Sequence, residues 1–152
     1  MEKVKNISSG LAGVAGEYFV AGELSRNGFN ASITLRNTKG VDIICSNEET
    51  TKSVNIQVKT NKNSSKSWIL SKKCETNYSD NLFYVFVNLN NDKDGKPEFF
   101  VVPSKIVAEK IKTDHSEWLN GKKKDGTGRK DSDMRKFEVD EKYKDSWEEL
   151  GL

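Results

Sequence analysis

Apolar residues recur at helical spacing from residue 10 to residue 27, and then at alternating or unbroken spacing over most of the next eighty residues. Leu11, Val14, Ala15, Tyr18, Val20, Ala21 and Leu24 give the first segment a broad apolar stripe, the pattern of a helix with one face on a core. Ser8 or Ser9 can cap its start, and Asn27-Gly28 ends it, with Gly28 suited to a left-handed stop. Phe29 to Leu35 reads as a strand, followed by a turn over residues 37–40. In the next two runs apolar and polar positions alternate. Val41, Ile43 and Cys45 share one face and Asp42, Ile44 and Ser46 the other; Val54, Ile56 and Val58 then oppose Asn55, Gln57 and Lys59, as strand geometry requires. The spacer 47–53 is polar. The two runs therefore predict an antiparallel hairpin centred near residue 50 or 51, with Asp42 across from Gln57 or Lys59 at side-chain contact distance.

Further along, Ser67 to Leu70 is a short strand candidate and residues 81–88 a strong buried strand. Residues 92–96 read as a hairpin turn and Pro97 to Val102 as the returning strand. Ser104 to Lys112 is a short helix opened by Pro103 and capped by Ser104. Thr113 to Arg135 reads as loop, Lys136 to Val139 as an edge strand and Asp140 to Leu150 as a final helix. No repeat, low-complexity tract or linker divides the chain. The expectation is a single domain over 1–152, α/β in class, with a central mixed, mostly antiparallel sheet flanked by helices.

Composition narrows the function without naming it. The chain has 152 residues, 34% apolar and 32% charged, which fits a soluble globular protein with a well-solvated surface. No apolar run approaches the roughly 18 residues of a membrane span, and the N-terminus lacks signal-peptide order, so the cytoplasm is the expected compartment. Cys45 and Cys74 form no Cys-x-x-Cys pair and read as core thiols. One histidine, His115, supports neither an ordinary zinc site nor a histidine triad, and no role is assigned to it.

The net charge is +2, and its distribution says more than its size. Lys52, Lys59, Lys62, Lys66, Lys72 and Lys73 lie in a stretch without an acid. Lys122, Lys123, Lys124, Arg129 and Lys130 lie in another that holds only Asp125. Solvated loops and phosphate contact flanking the hairpin are equally open readings of these clusters.

Glu17 shares the helix with Gly13, Ala15 and Gly16. A carboxylate on the apolar side of a helix is costly unless solvated or partnered. Gly13 and Gly16 each forfeit roughly 1 kcal/mol of helix propensity relative to alanine, and they permit close approach to another backbone. Packing of this helix on the sheet would carry Glu17 toward Asp42.

Together, Gly16-Glu17 on a helix, Gly40-Val-Asp42 on a strand and Gln57-Val-Lys59 on the next strand resemble the PD-(D/E)XK nuclease superfamily, in particular the Mrr-like restriction endonucleases and archaeal Holliday-junction resolvases. The resemblance covers roughly residues 10 to 62. It implies a restriction-endonuclease-like fold and a metal-dependent endonuclease that hydrolyses DNA phosphodiester bonds, with RNA not excluded. It implies Glu17, Asp42, Gln57 and Lys59 as the catalytic set. Asp42, Glu17, Gln57 and the carbonyl of Val58 would hold Mg2+, or Mn2+ in its place, and Lys59 would act on the attacking water or the phosphate. Gln57 stands where an acid is commonest, as in Mrr-like members, and brings no negative charge to the metal. Arg36, Lys39, Asn55, Lys62 and Lys66 are the candidate nucleic-acid contacts, with Thr60 or Asn61 as lesser ones. Trp68 is either a base-stacking platform or core, while Trp118 and Trp147 read as packing. A homodimer belongs to the same resemblance, although no sequence feature fixes an interface. The competing expectation is a catalytically weak or inactive nuclease-fold module that binds nucleic acid or a protein partner.

Overall fold

Seven consecutive buried residues, Leu82–Asn88, set the centre of the structure. A strand buried on both faces must have strands on both edges and a layer above and below. In the computed structural model, which describes residues 6–35, 38–93 and 95–152, both conditions are met. The described residues run α1 (Ser9–Arg26), β1 (Asn30–Ile33), β2 (Ile43–Ser46), β3 (Ser53–Asn61), β4 (Ser67–Ser71), β5 (Leu82–Asn88), β6 (Glu98–Pro103), α2 (Ser104–Asn120) and β7 (Met134–Glu138). Short 3-10 turns cover Lys72–Glu75, Asn91–Lys93, Glu141–Tyr143 and Trp147–Leu150.

The main sheet has the order β1-β2-β3-β5-β6. Its neighbours are antiparallel except β3 and β5, which run parallel with Gln57 beside Tyr84 and Lys59 beside Phe86. One face carries Ile43, Cys45, Val54, Ile56, Val58, Val85 and Val101 against Ala12, Val20 and Leu24 of α1, with Trp147 and Leu150 closing the far end. The other face carries Tyr84, Phe86, Phe100 and Val102 against Trp68, Phe137, Val107 and Ile111. That second layer is α2 together with a separate two-stranded sheet, β4-β7. Its core draws on β5 and β6 and on no residue of β3. The face of β3 bearing Asn55, Gln57 and Lys59 stays half-exposed, which is why polar residues are tolerated there.

Much of the expected layout is present. The helix over 10–27 is α1, capped by Ser8, whose hydroxyl accepts from the Leu11 N–H at 3.2 Å, and Gly28 follows it at φ +87°. The hairpin is β2–β3, with Ile43 paired to Ile56.

The C-terminal third departs from expectation. α2 extends to Asn120 rather than stopping at Lys112, taking residues 113–120 out of the expected loop. Ser104 does not cap it: Pro103 holds the cap position, and the Ser104 hydroxyl exchanges hydrogen bonds of 3.0 and 3.1 Å with the backbone of Ser79. The expected edge strand is β7, starting two residues earlier and paired to β4 outside the main sheet. The expected final helix is two 3-10 turns instead, separated by Asp145 at φ +52°. A left-handed residue between them stops helical propagation. In the 92–96 turn, Asp94 lies outside the described residues. Among the described residues no helix is long and apolar enough to cross a membrane.

Both cysteines are free and buried, Cys45 beneath α1 and Cys74 in the opposite layer. Burial pushes the Cys45 thiol up to about 11, so its thiolate is scarce in neutral solution. An aromatic disulfide reagent at about pH 8 is therefore expected to leave Cys45 unmodified in the native protein and to titrate it fully in concentrated guanidinium. Fast modification of native Cys45, located by peptide mapping, would contradict its placement.

Candidate active site

The chain enters the site through a turn that only glycine takes easily. Gly40 sits at φ +71°, a left-handed conformation costly for other residues, and from it the backbone straightens into Val41 and Asp42. Thr34, at the end of β1, clamps that segment: its N–H donates to the Asp42 carbonyl at 2.9 Å and its hydroxyl to the Val41 carbonyl at 2.6 Å. The ladder between β2 and β3 ends at Ile43 and Ile56. One step further out, the Asp42 N–H donates to the Ile56 carbonyl at 2.8 Å, and the Asp42 carboxylate accepts the Val58 N–H at 2.7 Å. A side chain thus takes over where the strand partner leaves off. Beyond that point β3 runs on with this edge unpaired while its other edge stays on β5. The Val58 carbonyl projects from the same edge as its N–H, toward the notch beside Asp42.

Glu17 reaches the same notch from α1. Helical side chains lean toward the N-terminus, over the preceding turn, and the two turns before Glu17 carry Gly13 and Gly10 on its face. With no side chains there, a cleft of about 280 Å³ opens, lined by Gly13, Val14 and Glu17 of α1 and by Thr34, Thr38 and Asp42. The helix is held close by Gly16, which is buried against Thr60 of β3. A β-carbon on Gly16 would lie 1.9 Å from the Thr60 hydroxyl oxygen.

The other predicted residues distribute as follows. Gln57 and Lys59 flank Val58 on β3, but their register with Tyr84 and Phe86 puts them on the sheet face opposite α1, and they do not line the cleft. Asp42 is the joint between the two groups, since it lines the cleft and its carboxylate is bonded to the backbone between Gln57 and Lys59. Asn55 shares the face of Gln57. Lys39 is exposed in the Gly40 turn, Lys62 is half-buried after β3, and Lys66 is exposed before β4. Arg36 lies outside the described residues. Thr60 is turned into the α1 contact, where its hydroxyl is buried without a hydrogen bond, and the Asn61 amide donates to the Ser67 carbonyl at 2.9 Å. Both residues are half-buried.

Trp68 is 2% exposed, with its indole N–H donated to the Val87 carbonyl, so it is core and not a stacking platform. Trp118, expected to pack, is 45% exposed. His115, given no partner by the sequence, meets Asp131 at 2.8 Å and stacks on Trp118. Thr34 escaped the sequence reading. Its only signal was a β-branched hydroxyl eight residues before an acid, which is too common to single out.

Oxygen donors dominate the notch: two residues with carboxylates, Glu17 and Asp42, line it, with the Val58 carbonyl at the adjoining strand edge, and such oxygens suit a hard cation such as magnesium. Among the described residues no group of three or more His, Cys, Asp or Glu side chains is placed to hold a metal ion. Any ion here would rest on two acids and neutral oxygens. A larger groove of about 660 Å³ between α2 and the β4-β7 sheet is floored by Ile69, Trp118 and Met134. It is edged by the salt-bridged pairs Lys110–Asp114 and Lys136–Glu138, and none of the predicted site residues lines it.

No protein-family model and no curated protein sequence matches the chain. Among solved structures, a Holliday junction resolvase from the archaeal hyperthermophile Archaeoglobus fulgidus aligns with a TM-score of 0.48 and 14% identity over 83% of each chain. A bacterial homing endonuclease aligns with a TM-score of 0.46 and 16% identity over 65% of this chain and 67% of its own. The architecture itself is a five-stranded mixed sheet flanked by helices, with the β2–β3 hairpin within it.

Proposed function

We propose that the protein is a divalent-metal-dependent endonuclease that hydrolyses phosphodiester bonds in DNA. The observation that carries this reading is the meeting of Glu17 and Asp42 in one cleft, with the Asp42 carboxylate bonded to the strand between Gln57 and Lys59. Asp42, Glu17 and the carbonyl of Val58 are the groups that would hold magnesium, or manganese in its place, and the amide oxygen of Gln57, on the other face of β3, would join them only around the edge that Asp42 occupies. When bound, the ion neutralises charge on the phosphoryl oxygens and activates water. Lys59 donates a hydrogen bond to the attacking water or to a phosphate oxygen, and its charge favours the anionic form of either. Thr34 and Gly40 fix the backbone on which Asp42 sits, so the carboxylate is oriented before substrate arrives. Asn55, Lys62, Lys66, Lys39 and Arg36 hold the nucleic-acid backbone beside the polar face of β3. Cleavage of both strands would require two copies or two encounters.

The test is nicking of a supercoiled plasmid as magnesium is raised, with excess chelator as the blank. Chelator-sensitive nicking is expected, and Lys59→Met, which keeps the aliphatic stem, is expected to slow it about 100-fold. Nicking that persists in chelator would defeat the metal assignment. A second reading, a nuclease-fold module that binds nucleic acid without cutting it, draws support from two observations. Among the described residues the acids at the site are too few for a cluster of three, and Gln57 and Lys59 face away from Glu17. It predicts plasmid binding with no manganese uptake by calorimetry.

A further inference from the structure

The decapeptide Gly121–Lys130 carries four lysines, one arginine and no apolar side chain. It is a small hairpin standing on the end of α2. Lys122 bridges to Gly128, the Lys123 N–H donates to the Thr127 carbonyl at 2.9 Å, and Gly126 closes the turn at φ +84°. The single acid of the segment is engaged within the turn: the exposed Asp125 carboxylate accepts the Thr127 hydroxyl at 2.6 Å and the Thr127 N–H at 3.0 Å, which holds its pKa below the usual range. Arg129 is turned inward, onto the helix. Its guanidinium donates to the Trp118 carbonyl at 2.6 Å and lies 5.0 Å over the Trp118 ring. That ring is in turn stacked on His115, whose Nε2 meets Asp131 at 2.8 Å. The base of the hairpin is therefore pinned to the helix by Arg129, while Asp125 braces the turn itself.

What remains pointing out is Lys122, Lys123, Lys124 and Lys130. All are exposed, and among the described residues none is in a salt bridge. We propose that this hairpin is a second nucleic-acid contact, a preformed arm that grips the phosphate backbone without reading sequence. Four uncompensated ammonium groups on a pinned turn suit a polyanion of regular charge spacing, which gains from counterion release. The absence of any apolar or aromatic residue on the arm argues against a protein partner, since protein interfaces are anchored by buried apolar and aromatic side chains. It argues equally against base stacking and leaves the phosphates as the ligand. The proposal rests on the nuclease reading only for the choice of DNA as the polyanion, and the arm is separate from the cleft.

The experiment is equilibrium binding of a fluorescein-labelled DNA duplex of arbitrary sequence, measured in chelator over a range of salt concentrations so that no cleavage intervenes. Replacing Lys122, Lys123, Lys124 and Lys130 together by Gln is expected to weaken binding at low salt by 10-fold or more. It should flatten the plot of log affinity against log salt by about 0.9 for each phosphate that the arm no longer neutralises. The matching Lys→Arg variant keeps the charge and is expected to retain both affinity and slope. Asp42→Asn is expected to leave the slope unchanged while removing cleavage, so loss of the active-site reading and loss of the arm are read on different axes. An unchanged slope in the Gln variant overturns the proposal. So does a native protein that fails to bind duplex, or one from which polyglutamate displaces DNA at equal charge concentration, the result expected of a surface for acidic proteins.

Discussion

Asp42→Asn is expected to abolish metal-dependent nicking while leaving the protein folded. The distinction between asparagine and alanine matters because Asp42 has a structural duty as well as a proposed chemical one. Its carboxylate replaces the missing strand partner of Val58 by accepting that N–H at 2.7 Å. Asparagine keeps an oxygen that can accept the same bond, so the notch at the end of the β2–β3 ladder survives, and what is lost is the negative charge. A divalent ion contributes several kcal/mol to the transition state of a phosphodiester hydrolysis. At about 1.4 kcal/mol per tenfold in rate, loss of its principal carboxylate corresponds to a fall on the order of 1000-fold. Asp42→Ala should show the same fall and, in addition, lose about 1–3 kcal/mol of stability, because a half-buried N–H is left without an acceptor. The pair of variants separates the two duties: nicking measures the first and thermal unfolding the second. Full activity in a folded Asp42→Asn protein would remove Asp42 from the centre of the site, and with it the nuclease reading. Loss of nicking with manganese uptake undiminished would move the metal elsewhere.

Legibility of the fold in the sequence follows how local the cause of each element is. α1 and the β2–β3 hairpin were readable because their patterns are self-contained: a stripe, a cap and a left-handed glycine for one, two alternating runs around a polar spacer for the other. β5 was readable because a strand buried on both faces leaves no polar position to confuse it. The C-terminal third is different. Residues 113–120 are polar and look like loop, yet they continue α2 because the Lys110–Asp114 pair and the stacking of His115 on Trp118 support the exposed turns. The stretch from Asp140 to Leu150 has helical apolar spacing, but Tyr143 and Trp147 are drawn into different layers of the molecule. A continuous helix would have to put both on one face. The site shows the same division. Asp42, Gln57 and Lys59 were visible as polar residues where apolar ones belong, and Glu17 as an acid among glycines. The sequence cannot reveal that β3 outruns β2, so that the Asp42 carboxylate bonds the strand between Gln57 and Lys59 just where the ladder ends. That depends on where pairing stops, which is set by the Thr34 clamp and the Gly40 turn.

Gly16→Ala is expected to damage activity more than stability, and its sign is decided by two opposed terms. In an exposed helix the change would stabilise by roughly 1 kcal/mol through propensity. Here the new methyl would meet the Thr60 hydroxyl oxygen at 1.9 Å, its Cβ at 3.0 Å and its Cγ2 at 3.1 Å. Threonine is branched at Cβ, so rotating the hydroxyl away swings another atom toward the same space. The overlap must be relieved by moving α1 off β3, and overpacking of this kind costs typically about 1–3 kcal/mol. With an approach this close the overlap lies toward the upper end of that range and outweighs propensity, for a net loss of up to about 2 kcal/mol by denaturant unfolding. Glu17 is the next residue on the helix and must move with it. A displacement on the order of 1 Å in a residue that positions reacting groups costs about 100-fold in rate, so nicking should fall by that order while the protein stays folded. Thr60→Ala removes two of the three opposing atoms, and the double variant should recover most of the stability and part of the rate. Glu17→Gln, which leaves the helix in place, should match Gly16→Ala in activity but not in stability. If Gly16→Ala raises stability and leaves nicking intact, α1 is not held against β3 by this contact, and the route by which Glu17 reaches Asp42 is wrong.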